Sequence, residues 1–184
     1  MTDTELMLAV RGGDLDALGA LFRRHYDTAH ALCYRLTTSA EAADDLAQET
    51  FLRILRYRHT FRGDAQFTTW MYRLARNVCL DHLRAAARAD GADARWAADE
   101  GQPTRPEAEP GDAARLAAVE AALARLPVEQ REALVLSRYH DMRYDAIART
   151  LDCSPGAARV RVHRALKALR AMVRATEEQT EERP

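Results

Sequence analysis

The 184-residue chain is poor in the residues that interrupt helices, with 8 glycines and 6 prolines. Half of those prolines (Pro103, Pro106 and Pro110) fall between positions 89 and 112, together with Gly91, Gly101 and Gly111. The rest of the chain is rich in Ala, Leu, Arg and Glu, all strong helix formers, and no segment carries a strand signal. Cysteine is rare too. Cys33, Cys79 and Cys153 form no C-x-x-C, and no His or Cys stands at zinc-ligand spacing. That excludes a disulfide framework and a zinc site, and reads as three free buried thiols in a reducing compartment. No run approaches the roughly 20 apolar residues that span a bilayer, so no direct membrane insertion is expected. The stretch Met1 to Gly13 is acidic and lacks the apolar centre of a signal peptide, which points to a cytoplasmic protein.

Signs of catalysis are missing as well. There is no phosphate-binding glycine loop, no nucleophile elbow and no H-E-x-x-H. Asp81-His82 resembles a fragment of a metal phosphohydrolase site, but the further ligands are not at suitable spacings. His25, His30, His59, His140 and His163 are scattered. Neither metal nor cofactor is expected, and the chain does not read as an enzyme.

What the chain does have is alternating charge. Its formal net charge of −1 conceals blocks of opposite sign. Residues 53–88 carry 8 basic groups against 2 acidic, and residues 113–174 carry 12 against 6. Residues 1–52 carry 4 against 9, and residues 89–112 carry 2 against 7. Two basic blocks separated by an acidic spacer suit a protein that touches a polyanion at two places.

Apolar periodicity places the helices. Leu15, Leu18, Leu21, Phe22, Tyr26, Ala29 and Cys33 recur at three- and four-residue steps, predicting a helix from Asp14 to about Leu36. Thr38 with Glu41 has capping-box spacing ahead of a second helix that runs to about Arg58 and buries Ala47, Thr50, Phe51 and Ile54. Phe61-Arg62-Gly63-Asp64 breaks the pattern, and a third helix follows from about Phe67 to Ala87. The Pro/Gly-rich acidic stretch 89–112 cannot support a core and reads as a flexible linker. Beyond it, Leu116, Val119, Leu123 and Leu126 form a stripe. Pro127 opens a helix lined by Leu134, Val135, Leu136 and Tyr139. The expected fold is therefore all-α: two small helical domains, 1–88 and 113–178, joined by the linker 89–112.

A short helix from Tyr144 to Leu151, the turn Asp152-Cys153-Ser154 and a longer basic helix make a helix-turn-helix. Ser154 before Pro155 is a strong helix start. In such a unit the second helix enters the major groove, with its N-terminal residues at the base edges. Small residues lead it here, and Arg159, Arg161, His163, Arg164, Lys167 and Arg170 follow. Arg159, His163, Lys167 and Arg170 share one face.

In the other half, Asp45, Gln48 and Glu49 share a polar helix face, with Asp44 beside them. Arg53, Arg56 and Arg58 follow, then the aromatic, basic run Phe61, Arg62, Phe67, Trp70, Tyr72, Arg73 and Arg76. Aromatic rings interleaved with arginines suit unpaired bases, which stack on rings while guanidinium groups hold the backbone.

Together these residues resemble the small bacterial sigma factors of the extracytoplasmic-function (ECF) group, in the sigma-70 superfamily. Asp44 through Leu52 looks like region 2.2. Phe61-Arg62-Gly63 and Thr69 through Asn77 look like regions 2.3 and 2.4. Leu126-Pro127, Gln130-Arg131-Glu132, Tyr144, Ile147-Ala148 and Ser154 through Ala165 look like region 4. The resemblance covers nearly the whole chain, in order.

The resemblance implies an alternative sigma factor that directs promoter-specific initiation. Asp45, Gln48 and Glu49 would bind the β′ coiled coil of core RNA polymerase, with the β subunit a further partner. Arg56, Phe61, Arg62, Phe67, Trp70, Arg73, Arg76 and Asn77 would recognise and open the −10 element of promoter DNA. Ser154, Ala157, Arg159, Val160, Arg161, His163, Arg164 and Lys167 would read the −35 element. The family also implies a regulating anti-sigma factor. Ala157-Ala158-Arg159-Val160 replaces a commoner Thr-Val-Lys-Ser, removing two polar side chains near the base edges. Arg73-Leu74 stands where housekeeping sigma factors carry paired tryptophans, which implies weaker strand opening. An ordinary helix-turn-helix regulator would account for the C-terminal half but not for Asp45, Gln48 and Glu49 beside an arginine-aromatic run.

Overall fold

A computed structural model describes residues 1–89 and 110–181, with side chains described for 1–88 and 115–176. The chain divides into two compact units, Met1–Ala97 and Ala98–Pro184. Among the described residues every regular element is helical.

The first unit contains α1 (Asp3–Arg11), α2 (Leu15–Thr37), α3 (Ala40–Tyr57), a single 3₁₀ turn at Arg58–Thr60, and α4 (Phe67–Ala89). Helix α1 was not anticipated. It is fixed by a capping box in which the Thr2 hydroxyl accepts from the Glu5 amide at 3.2 Å and Glu5 accepts from the Thr2 amide at 2.7 Å. Its apolar side buries Leu6, Met7 and Val10. Helix α2 starts at Asp14, whose carboxylate accepts from the amides of Asp16 and Ala17. It buries Ala17, Leu21, Ala29, Leu32, Cys33 and Leu36, but Leu15 and Phe22, expected on the same apolar face, are exposed.

The cap of α3 is Ser39, not Thr38: the Ser39 hydroxyl accepts from the Ala42 amide at 3.2 Å. Thr38 instead closes α2 in the left-handed region at φ +60°. A β-branched residue is strained there, and glycine is the residue the geometry favours. Thr38→Gly should therefore stabilise the first unit by about 0.5–1 kcal/mol, read as a higher urea midpoint. An unchanged or lower midpoint would mean that the Thr38 side chain offsets the backbone cost.

Helix α3 buries Ala47, Thr50, Phe51 and Ile54 as expected, with Ala43 and Leu46. Helix α4 contributes Phe67, Met71, Tyr72, Ala75, Val78, Cys79 and Leu83 to the same core. Burial pushes the Tyr72 phenol up to about 12.

The second unit contains α5 (Pro110–Ala124), α6 (Val128–Arg138), α7 (Tyr144–Leu151) and α8 (Pro155–Glu181). Of the stripe expected on α5 and the turn after it, Leu123 and Leu126 are buried, whereas Leu116 is exposed. In α6, Leu134, Val135 and Leu136 are buried, while Tyr139 just past its end is exposed. Arg131 and Glu132 are buried beside them. The Arg131 guanidinium donates to the carbonyls of Ala124 and Leu126, tying α6 to the end of α5. Burial lowers its pKa, and Glu132 opposes that shift.

Helices α4 and α5 reach into the stretch 89–112 from either side, at Ala89 and Pro110. The remainder of the expected linker lies outside the described residues. Helix α8 continues to Glu181. No disulfide joins the cysteines: Cys33 and Cys79 are buried and Cys153 is half-buried. No helix among the described residues is long and apolar enough to cross a membrane.

Candidate nucleic-acid interface and its neighbouring docking face

Helix α3 turns Asp44, Asp45 and Gln48 to solvent, with Glu49 half-exposed. The spacing argument thus yields one continuous polar face, but its members are not equivalent. Asp44 accepts from the Tyr26 hydroxyl at 3.0 Å and lies 3.4 Å from His30 Nε2. Burial and the hydrogen bond to Asp44 together raise the Tyr26 pKa. Glu49 pairs with Arg53 at 3.0 Å, and Arg53 also reaches Asp81 on α4 at 3.0 Å. Partial burial works against the Arg53 charge, yet Glu49 and Asp81 outweigh it and raise the guanidinium pKa. Asp81, weighed in the sequence as half of a phosphohydrolase motif, is thus an ion-pair partner, with Arg84 a further 3.6 Å neighbour.

Beside this face runs an apolar groove of about 520 Å³ between α2 and α3. Leu15, Leu18, Phe22, Phe51, Leu52 and Leu55 line it, and Gln48 stands at its edge. Leu15 and Leu52 are among the most exposed large apolar residues, at 63% and 62%. Sequence reasoning did not find this groove. The signal was an apolar stripe on α2 wider than one core-facing side requires.

The basic half of the unit forms a second cleft, of about 620 Å³, on α3 and α4. Of the residues expected at the −10 element, Trp70, Arg73, Arg76 and Asn77 line it. Arg53, Tyr57, Thr60 and Arg84 join them, which the sequence pattern had not assigned to this site. Arg56 and Arg62 are exposed but are not part of its lining.

Phe61 and Phe67, expected at the −10 element, do not line this cleft. Both are buried, at 2% and 1% exposure, with no ring face open to solvent. Their rings pack on the half-buried Trp70, with centroids 5.3 Å from Phe61 and 6.3 Å from Phe67. Phe67 also meets His25 at 5.3 Å. The two phenylalanines therefore support the indole from beneath. Tyr72 is buried as well and takes no part in the cleft.

In the second unit, α7 ends at Leu151 and Asp152 turns the chain in the left-handed region at φ +56°. Ser154 then caps α8, its hydroxyl accepting from the Ala157 amide at 3.1 Å. Ala158, Val162 and Ala165 are buried. That packing leaves Ser154, Arg159, Val160, His163, Arg164 and Lys167 exposed, with Ala157 and Arg161 half-buried. His163, Lys167, Arg170 and Arg174 border a shallow groove along α8, extending the basic face expected from the sequence. The Arg159 guanidinium sits over the Tyr144 ring, 5.4 Å from its centroid.

A helix-turn-helix with a basic reading helix, on the same chain as a helical unit holding an arginine-lined cleft and an acidic face, defines a two-part DNA-binding protein. Known proteins sharpen that class. Residues 21–89 match the family model of sigma-70 region 2, and residues 116–169 match that of sigma-70 region 4. The chain is 32% identical over 176 residues to the RNA polymerase sigma-H factor of Pseudomonas aeruginosa, covering 91% of both chains. It is 35% identical over 171 residues to the ECF RNA polymerase sigma factor SigM of Mycobacterium tuberculosis, covering 89% of this chain and 81% of that one. Among solved structures, CnrH in complex with the cytosolic domain of CnrY is similar, with a TM-score of 0.71 and 25% identity over 94% of this chain and 97% of that one. The chain belongs to the sigma-70 family, in its ECF group.

Proposed function

We propose that this chain docks on core RNA polymerase through the α3 face and directs initiation at promoters recognised by α4 and α8. The observation that carries this reading is the adjacency of two unlike surfaces on one helix. The acid and amide side chains Asp45, Gln48 and Glu49 lead, through Arg53, into an arginine-lined cleft. A cationic coiled coil from the polymerase β′ subunit would meet the acids, and its apolar residues would enter the α2–α3 groove. Docking there sets the cleft against the −10 element. Trp70 supplies the stacking surface for an unpaired base, Arg73 and Arg76 hold phosphates, and Asn77 is placed to bond a base edge. Helix α8 reads the −35 element.

The chain performs no chemistry in this scheme, since the polymerase provides the catalytic metal and residues. Action on promoter DNA would put it in the cytoplasm. An anti-sigma factor would regulate it by covering the α3 face or by clamping the two domains together; the similar protein CnrH is seen in complex with the cytosolic domain of CnrY.

The test is reconstitution. Mixed with core polymerase, the chain should co-elute on gel filtration and give run-off transcripts that core alone does not produce. A simple helix-turn-helix regulator would bind duplex and leave core untouched. The apolar groove has its own check: Leu52→Asp should weaken core binding on the order of tenfold or more, because it strands a charge against an apolar partner. Stability should barely move, as Leu52 is already exposed. Unchanged affinity would remove the groove from the docking surface.

A further inference from the structure

The leading end of α8 is short of hydrogen-bonding side chains. Gly156, Ala157, Ala158 and Val160 carry none, so among residues 156–160 only Arg159 can bond a base edge. Arginine is a long side chain whose rotamer freedom must be given up when it binds. In this structure the guanidinium already lies over an aromatic ring. It lies 5.4 Å from the centroid of Tyr144, within the range at which an aromatic face attracts a cation. Tyr144 is the first residue of α7 and half-buried, so its ring is anchored to the helix-turn-helix.

We propose that Tyr144 is the positioning residue of the recognition helix, holding Arg159 so that its guanidinium reads a guanine in the −35 element. This rests on the reading that α8 enters the major groove upstream of the start site. Guanine is the base whose major-groove edge offers two acceptors, O6 and N7, that match the two-pronged guanidinium. A planar ring over one guanidinium face leaves the N–H edges free, so stacking and base recognition are compatible. The ring's contribution is pre-organisation: an arginine fixed before binding loses less freedom on meeting the base.

The experiment uses the full chain assembled with core polymerase, selecting from promoter duplexes randomised across the −35 and −10 regions and sequencing the bound fraction. The wild type should show one position with a guanine preference, lost on the order of tenfold in Arg159→Ala. Tyr144→Leu should reduce the preference at that same position several-fold and leave the other positions alone. Tyr144→Phe, which keeps the ring, should retain it. A merely structural role would weaken all positions together, and thermal melting of each variant separates misfolding from lost recognition. The proposal is overturned if Tyr144→Leu leaves the guanine preference intact or lowers affinity evenly across the library. If Arg159→Ala alters no upstream position while −10 selection persists, the −35 assignment itself fails. If Arg159→Ala acts and Tyr144→Leu does not, only the positioning role is lost.

Discussion

Glu49→Lys should abolish co-elution with core RNA polymerase while leaving the helical fold intact. Glu49 is half-exposed, and its described ion pair is with Arg53, one turn along the same helix. An exposed i,i+4 pair contributes only about 0.3–0.5 kcal/mol, so its loss moves the melting temperature by at most a few degrees. The effect on docking is far larger. A lysine would stand beside Arg53 and face a cationic partner, and like charges brought together across an interface cost several kcal/mol. A penalty of about 3 kcal/mol corresponds to an affinity lower by on the order of 100-fold. Glu49→Gln should fall between the two, having lost the charge but not the size. Normal co-elution of the lysine variant would take the α3 face out of the proposed contact.

The second large effect concerns a residue the sequence pattern assigned to DNA. Phe67→Ala should destabilise the first unit by about 3–5 kcal/mol, the usual range for emptying a buried aromatic site. Phe67 is 1% exposed and touches Phe61, Trp70 and His25, so little can collapse into the space without displacing the indole. Against a typical domain stability of about 5–15 kcal/mol, that removes much of the margin. Circular dichroism melting should show a clearly lower transition. Trp70→Ala is the contrast: the indole is half-buried, so a smaller loss of stability should accompany a larger loss of promoter opening. If Phe67→Ala melted like the wild type and still failed to open promoters, the ring would belong to the DNA contact after all.

Phe61 and Phe67 also show where sequence reasoning reaches its limit. A core and a base-stacking platform both ask for a flat apolar ring, and spacing does not say which side of the helix the ring leaves from. The acidic trio was easier, because residues spaced by three and four on a helix must share a face whatever lies beneath. The Ser154 cap was legible for a related reason: capping is local chemistry, written in neighbouring residues. Thr38 and Ser39 mark the edge of that rule, since either hydroxyl can cap and the backbone turn decided between them. The α2–α3 groove was hidden because Leu15 and Phe22 carry the same pattern as core residues. The Arg53–Asp81 pair joins two helices, and no local signal announces it.

That last pair binds the fates of two surfaces. One guanidinium serves as a wall of the arginine-lined cleft and as the partner of Glu49, the acid proposed to meet polymerase. A substitution at position 53 is therefore felt on both sides at once. Evolution, or an engineer wishing to retune promoter choice without disturbing enzyme assembly, has more latitude at Arg73 or Asn77, which line the cleft away from that shared hinge of charge.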